Sequence, residues 1–174
     1  MRGFLLACVA ALVSVPAFAG EVQSARSIDI AVNGTIPAQC AIGAIADLDF
    51  GDLERRGLGI RTPVAFSCNL PFNMTIKSAN GALTHASMPR GQGPFGGQLP
   101  YILGVQMPVR HPAVQMVSRT FDSRQLLSGG VISSNGGIAT DNMLLSVELG
   151  TPSGEAGLLA GDYSETITIT VTPI

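Results

Sequence analysis

The chain has 174 residues, of which 46% are hydrophobic, 5% aromatic and 13% charged, with a formal net charge of −2. Such a chain is too apolar to remain disordered and carries no basic excess that would recruit nucleic acid. With no Trp and two Tyr it is also poorly supplied with platforms for stacking bases or sugars.

The first residues read as a secretory signal peptide. Arg2 gives a positive start, Phe4 to Val13 is an apolar run, Pro16 breaks it, and Ala17-Phe18-Ala19 is a small-x-small cleavage pattern. The run is well short of the roughly 20 residues of a spanning helix. Cleavage is expected after Ala19, so residues 1–19 form the signal. Cys8 leaves with it, and the mature chain fits one domain.

Two cysteines then remain, Cys40 and Cys68. In an exported chain they most simply form one disulfide, contributing roughly 3–4 kcal/mol by loop entropy. A redox pair would favour Cys-x-x-Cys spacing, which is absent. A metal site would need more ligands than His85 and His111 offer.

Helical periodicity is scarce after the signal, and strand patterns recur. Ser27 to Val32 alternates, with Ile28, Ile30 and Val32 in phase, and Asn33-Gly34 marks a bend. Thr35 to Ile42 and Ala46 to Phe50 read as further extended pieces, and 51–59 as loop. Arg61 to Asn69 reads as one strand, Phe72 to Ser78 as the next, and Asn80-Gly81 as a turn. Leu83 to Pro100 is rich in Gly and Pro and reads as loop. Tyr101 to Met107 is a strand, Pro108 to Ala113 irregular, and Val114 to Phe121 extended. Gln125 to Leu127 begins another extended piece, Asn135-Gly136-Gly137 is loop, and Asn142 to Leu149 is a strand.

The last segment is the most regular. From Tyr163 to Thr172 the odd positions are Tyr, Glu, Ile, Ile and Val, and the even ones Ser and Thr. Ile167, Ile169 and Val171 therefore share one face and the threonines the other. Many short strands between frequent turns imply an all-β, antiparallel β-sandwich. A strongly β-forming last strand also needs a neighbour, or it leaves an open edge.

Motifs for chemistry are weak. Asp49-Phe50-Gly51 matches a kinase metal-binding tripeptide but lacks the accompanying signatures; Phe50 is expected to plug the core and Gly51 to turn the chain. Asp47 and Asp49 are expected to be solvated carboxylates on one strand face. His85 and His111 have no recognisable nucleophile partner. Gly91 to Gly97 lacks the Lys-Ser/Thr of a phosphate loop and reads as a flexible surface loop. Tyr163 is expected to play a structural part, anchoring a corner. No catalytic, metal or cofactor site is expected, and the chain is read as a non-enzyme.

Taken together, the apolar arm, Cys40, Leu48-Asp49-Phe50-Gly51, Cys68 at a strand end and Gly161-Asp162-Tyr163 before the alternating strand resemble the spore coat protein U domain family, pilin subunits of archaic chaperone–usher systems. That resemblance implies an incomplete immunoglobulin-like antiparallel β-sandwich, completed by a donor strand from another chain. Residues 20–34 would be the donor arm and 35–174 the pilin domain. Ile28, Ile30 and Val32 would be donated; Tyr163, Ile167, Ile169 and Val171 would border the acceptor groove; Phe50 and Gly51 would be family motif residues. The implied partners are a periplasmic pilus chaperone, an outer-membrane usher and neighbouring pilin subunits in a homo- or hetero-polymer. The implied course runs through the periplasm to a cell-surface fimbria serving adhesion and biofilm. The rival expectations are a stand-alone secreted β-sandwich binding module and a minor adhesive subunit.

Overall fold

A computed structural model describes residues 27–174. The expected signal peptide and the first part of the expected arm, 20–26, lie outside the described residues. The chain divides into two units between Thr35 and Ile36.

In the first unit, residues 27–35 form no helix, strand or turn. Ile28, Ile30 and Val32 are 84%, 80% and 90% exposed. The strand expected at Ser27 to Val32 is therefore not formed. Alternation specifies which side chains share a face, but a ladder requires a second strand to bond.

The second unit is all-β. Its strands are β1 (Cys40–Ile42), β2 (Gly59–Val64), β3 (Phe66–Cys68), β4 (Phe72–Ser78), β5 (Leu83–His85), β6 (Gln98–Leu99), β7 (Tyr101–Arg110), β8 (Val114–Asp122), β9 (Gly130–Ser133), β10 (Met143–Leu149), β11 (Tyr163–Ser164) and β12 (Ile167–Pro173). The ladders between these strands are antiparallel. β2, β10, β7 and β8 form one sheet in that order; β12, β4 and β9 form another; β11, β5 and β6 a third; and β1 pairs with β3.

The period-2 pattern explains the core. Phe72, Met74 and Ile76 of β4, Leu103, Val105 and Met107 of β7, and Met143, Leu145 and Val147 of β10 are buried, and all belong to one apolar cluster. Ile132 of β9 joins them, and Phe66 meets Phe72 edge to face with ring centroids 5.0 Å apart, the geometry aromatic quadrupoles favour. Pro63 lies on β2, an outer strand of its sheet, where a missing N–H is tolerated. A disulfide joins Cys40 to Cys68 across the β1–β3 ladder, where the two residues face each other.

Several elements differ from the sequence reading. Arg61 to Asn69 is two strands, because the chain leaves one sheet at Val64 and joins β1 from Phe66 onward. Thr35 to Ile42 narrows to Cys40–Ile42, and Ala46 to Phe50 forms no ladder. β7 runs through Pro108 to Arg110, since β8 continues to pair with it there. Gln125–Leu127 is a 3-10 turn, and β9 follows Gly129, whose φ of 95° re-aims the chain. Leu83 to Pro100 contains β5 and β6. Its Gly-rich tip is held by backbone bonds between Gln92 and Phe95, and from Pro94 and Gly96 across to Ala156, Gly157 and Leu159, rather than projecting free.

The closing strand is also broken. β11 pairs with β5 while β12 pairs with β4, so the expected Tyr163 to Thr172 strand changes partner at Glu165-Thr166. The cause lies in its neighbours. β4 and β5 are separated by the Ala79 to Ala82 turn, and the strand that follows them must bend where they do.

Candidate functional site

β12 supplies one wall of a groove of about 640 Å³. The ladder to β4 runs along β12 from Ile167 to Pro173; among the described residues no strand bonds its other edge. Ile167, Ile169 and Val171 are half-buried against the core, and Thr168, Thr170 and Thr172 are exposed. The facing wall is the segment from Ile42 to Phe50, and Leu83, Tyr101, Leu145 and Val147 contribute to the floor. Leu48 and Phe50 are half-buried and pack on the core while Asp47 and Asp49 are exposed. That segment thus keeps strand-like alternation without a ladder. The result is a trough whose two walls each contribute apolar side chains and form no ladder with each other.

The structure gathers most of the residues singled out from the sequence around this trough. Phe50, Tyr163, Ile167 and Ile169 line it; Val171 lies further along β12, packed on the core. Gly51 has φ 63° and donates its N–H to Asp49 Oδ1 at 2.8 Å, closing the turn that ends the second wall. This is the left-handed conformation a side chain resists. Ile28, Ile30 and Val32 belong to the other unit.

Tyr163 stands at the trough's end. Its hydroxyl lies 2.7 Å from the Leu159 carbonyl and 3.1 Å from that of Gly96, so its one proton is directed at the loop that precedes it, with the loop beside it as the longer, shared acceptor. Its ring meets His85 edge to face at 5.2 Å. His85 is buried, with Nε2 3.0 Å from the Ala160 carbonyl and Nδ1 accepting from Met88 N–H at 3.0 Å and Ser87 N–H at 3.2 Å. Those partners assign the neutral, Nε2-protonated tautomer. Both ring nitrogens are thus spent on backbone, which suits a corner brace. His111 is exposed, with its ring beside the Gly136 turn.

Gly161 explains the Gly-Asp-Tyr spacing. Its φ is 148°, and a Cβ there would overlap the His85 ring. Gly161→Ala is expected to cost about 1–3 kcal/mol from backbone strain alone, with displacement of His85 in addition. The check is the denaturant midpoint, and an unchanged midpoint would refute this packing.

Sequence reasoning missed the role of Glu165. Its carboxylate accepts from the backbone N–H groups of Ala79, Asn80 and Ala82, each at 3.1 Å, and from Ser78 Oγ at 2.9 Å. Ser78 Oγ in turn accepts from Tyr101 O–H at 3.0 Å and Gly81 N–H at 2.8 Å. A carboxylate accepts only, so it can serve several donors of one turn at once. This clamp holds the β4–β5 turn to the β11–β12 break, directly beside the trough. The only available signal was a Glu interrupting an apolar phase.

Tyr101, buried at the trough floor, titrates high. Burial pushes its hydroxyl up from 10.0 to about 12; the bond to Ser78 partly offsets this, and the charge of Glu165 adds to it. The neutral form is therefore the one folding favours. Its contribution is whole below pH 10 and is lost as pH rises from about 10 through about 12. Tyr163 is shifted in the same direction by burial, against its bond to Leu159. Tyr101→Phe is expected to flatten, though not abolish, the alkaline decline in stability. Urea melts at pH 9 to 11 test this, and an unchanged slope would contradict it.

Among the described residues no three His, Cys, Asp or Glu side chains are grouped to hold a metal ion. What the trough offers chemically is an unbonded strand edge and an apolar floor. The sequence matches no protein-family model and no curated protein.

Proposed function

We propose that this chain is a non-enzymatic structural subunit of a surface fibre, assembled by strand donation between copies or related subunits. The observation that carries this reading is the trough along β12: one unbonded edge, apolar side chains on both walls, and a floor made of core residues. Apolar grooves beside an open strand edge favour addition of a strand. The same chain holds a segment of matching chemistry. Ile28, Ile30 and Val32 alternate with Asp29 and Ala31 and lie almost fully exposed. Burying the three side chains contributes roughly 5–9 kcal/mol, comparable with the roughly 5–15 kcal/mol net stability of a domain.

In this reading the second unit is an immunoglobulin-like sandwich lacking one strand. A periplasmic chaperone occupies the trough first. At an outer-membrane usher, the arm of the next subunit replaces it. The signal peptide and the disulfide suit that route, since disulfides persist in the periplasm. The resemblance to spore coat protein U domains supports the same assignment through Phe50-Gly51 and Gly161-Asp162-Tyr163.

The test is a subunit shortened to begin at Asn33. It is expected to occupy the chaperone normally and to accept an arm, but to be unable to cap another subunit. Normal polymerisation by the shortened chain would overturn the donor assignment. A stable monomer with no chaperone requirement would favour a self-contained binding module instead.

A further inference from the structure

We infer that Asn33 is a site of spontaneous deamidation, and that the arm is chemically the most perishable part of the subunit until it is buried. The sequence holds three Asn-Gly pairs, Asn33-Gly34, Asn80-Gly81 and Asn135-Gly136. In each, the glycine nitrogen can attack the Asn Cγ, because glycine has no Cβ to hinder the approach. The structure separates the three by how freely that attack can be made.

At Asn80-Gly81 the nucleophile is engaged. Gly81 N–H donates to Ser78 Oγ at 2.8 Å, and Asn80 N–H donates to both Glu165 oxygens at 3.1 Å. At Asn135-Gly136 the backbone is locked in a turn. Asn135 has φ 50° and Gly136 φ 82°, and Gly137 N–H closes the turn on the Ser134 carbonyl at 3.0 Å. Ring closure there requires giving up the turn. Asn33-Gly34 has neither restraint. Asn33 is exposed, residues 27–35 belong to no helix, strand or turn, and a Cβ at Gly34 would meet nothing within 4 Å.

The reaction needs only water. Gly34 N bonds to Asn33 Cγ as the Cγ–Nδ2 bond breaks, and ammonia departs with the former Gly34 amide proton. Water then opens the five-membered imide. Breaking the bond from Gly34 N to Cγ gives aspartate. Breaking the bond from Gly34 N to the Asn33 main-chain carbonyl carbon gives isoaspartate, whose main chain now runs through Cβ and Cγ and is one carbon longer.

The consequence for assembly rests on the strand-donation reading. Asn33 lies between the donated Ile28, Ile30 and Val32 and the second unit, which begins at Ile36. An extra main-chain carbon at position 33 lengthens that link and re-aims the chain where the arm leaves its own subunit. An isoaspartate arm therefore offers the same three apolar side chains on a link of altered length and direction. Docking into a neighbour bonds the arm's backbone and removes the freedom that ring closure needs, so assembly protects the residue.

The experiment is incubation of the purified mature protein at mildly alkaline pH, followed by peptide mapping and isoaspartate detection. Asn33 is expected to convert several-fold faster than Asn80 or Asn135; equal or faster conversion at either of those would overturn the site assignment. Asn33→Gln should remove the fast phase. Deamidated and fresh subunits are then compared for capping, with Asn33→Asp supplying the charge without the extra carbon. Failure of the isoaspartate form alone supports the altered-link argument, and equal capping by all three overturns it. If fresh protein does not cap at all, the strand-donation reading fails while the mass change at Asn33 still stands or falls by itself.

Discussion

Ile30→Asp is expected to abolish donation while leaving the subunit able to accept. The arm side chain loses about 1.5–3 kcal/mol of apolar burial, and its carboxylate loses water without gaining a partner, which adds at least about 2 kcal/mol. Together these lower affinity for a neighbour's trough by roughly 300-fold or more, at 1.4 kcal/mol per decade. Ile30 is exposed and outside the second unit, so that unit should fold and melt as before. Pull-down of an arm-less, tagged subunit by wild-type and variant chains reads the difference. Equal capture would remove Ile30 from the donor face.

The reciprocal change is Ile169→Asp in β12. Ile169 is half-buried, packs on the core and lines the trough. An aspartate there places a carboxylate where an incoming strand would seal it from water. The variant is expected to donate normally and to accept more weakly by roughly 300-fold or more, by the same sum of lost burial and desolvation. Because Ile169 also touches the core, some loss of stability is expected, and Thr168→Asp on the exposed face of the same strand is the control. The pair gives a sharper result when mixed. The Ile30→Asp chain can only accept and the Ile169→Asp chain can only donate, so together they should stop at a two-subunit species. Each alone should remain monomeric. Growth beyond two subunits would show that some other surface joins the copies.

How much of this was legible in the sequence differs by element. The β12 face was readable because Ile167, Ile169 and Val171 alternate with threonines, and period-2 patterning reports faces directly. The Cys40–Cys68 bond was readable because only two cysteines follow the expected signal segment. Phe50-Gly51 was readable as a plug and a turn. Partners were not readable, since alternation carries no information about which strand lies alongside. That is why Ser27 to Val32 and Ala46 to Phe50 have strand patterns without ladders, and why Arg61 to Asn69 concealed a change of sheet at Ala65. The Glu165 clamp was invisible for a related reason. Its donors are one serine hydroxyl and the backbone N–H groups of a turn more than eighty residues away, and the latter are advertised by no side chain.

The Gly/Pro-rich stretch shows the same limit from the other side. Leu83 to Pro100 carries loop composition, yet Leu83–His85 and Gln98–Leu99 pair, and His85 braces Tyr163. Composition recorded the flexibility the chain needs in order to turn. It did not record that the turns are closed by Gly96 and Leu159.

The central claim is that the trough beside β12 takes a strand from outside its own unit. The most direct measurement is the thermal midpoint of a subunit beginning at Asn33, titrated with a synthetic peptide of residues 20–34. A ligand that binds only the folded form raises stability as the logarithm of its concentration. The midpoint should therefore climb steadily with wild-type peptide and stay fixed with the Ile30→Asp peptide. A midpoint indifferent to both, in a subunit already resistant to heat, would contradict the account.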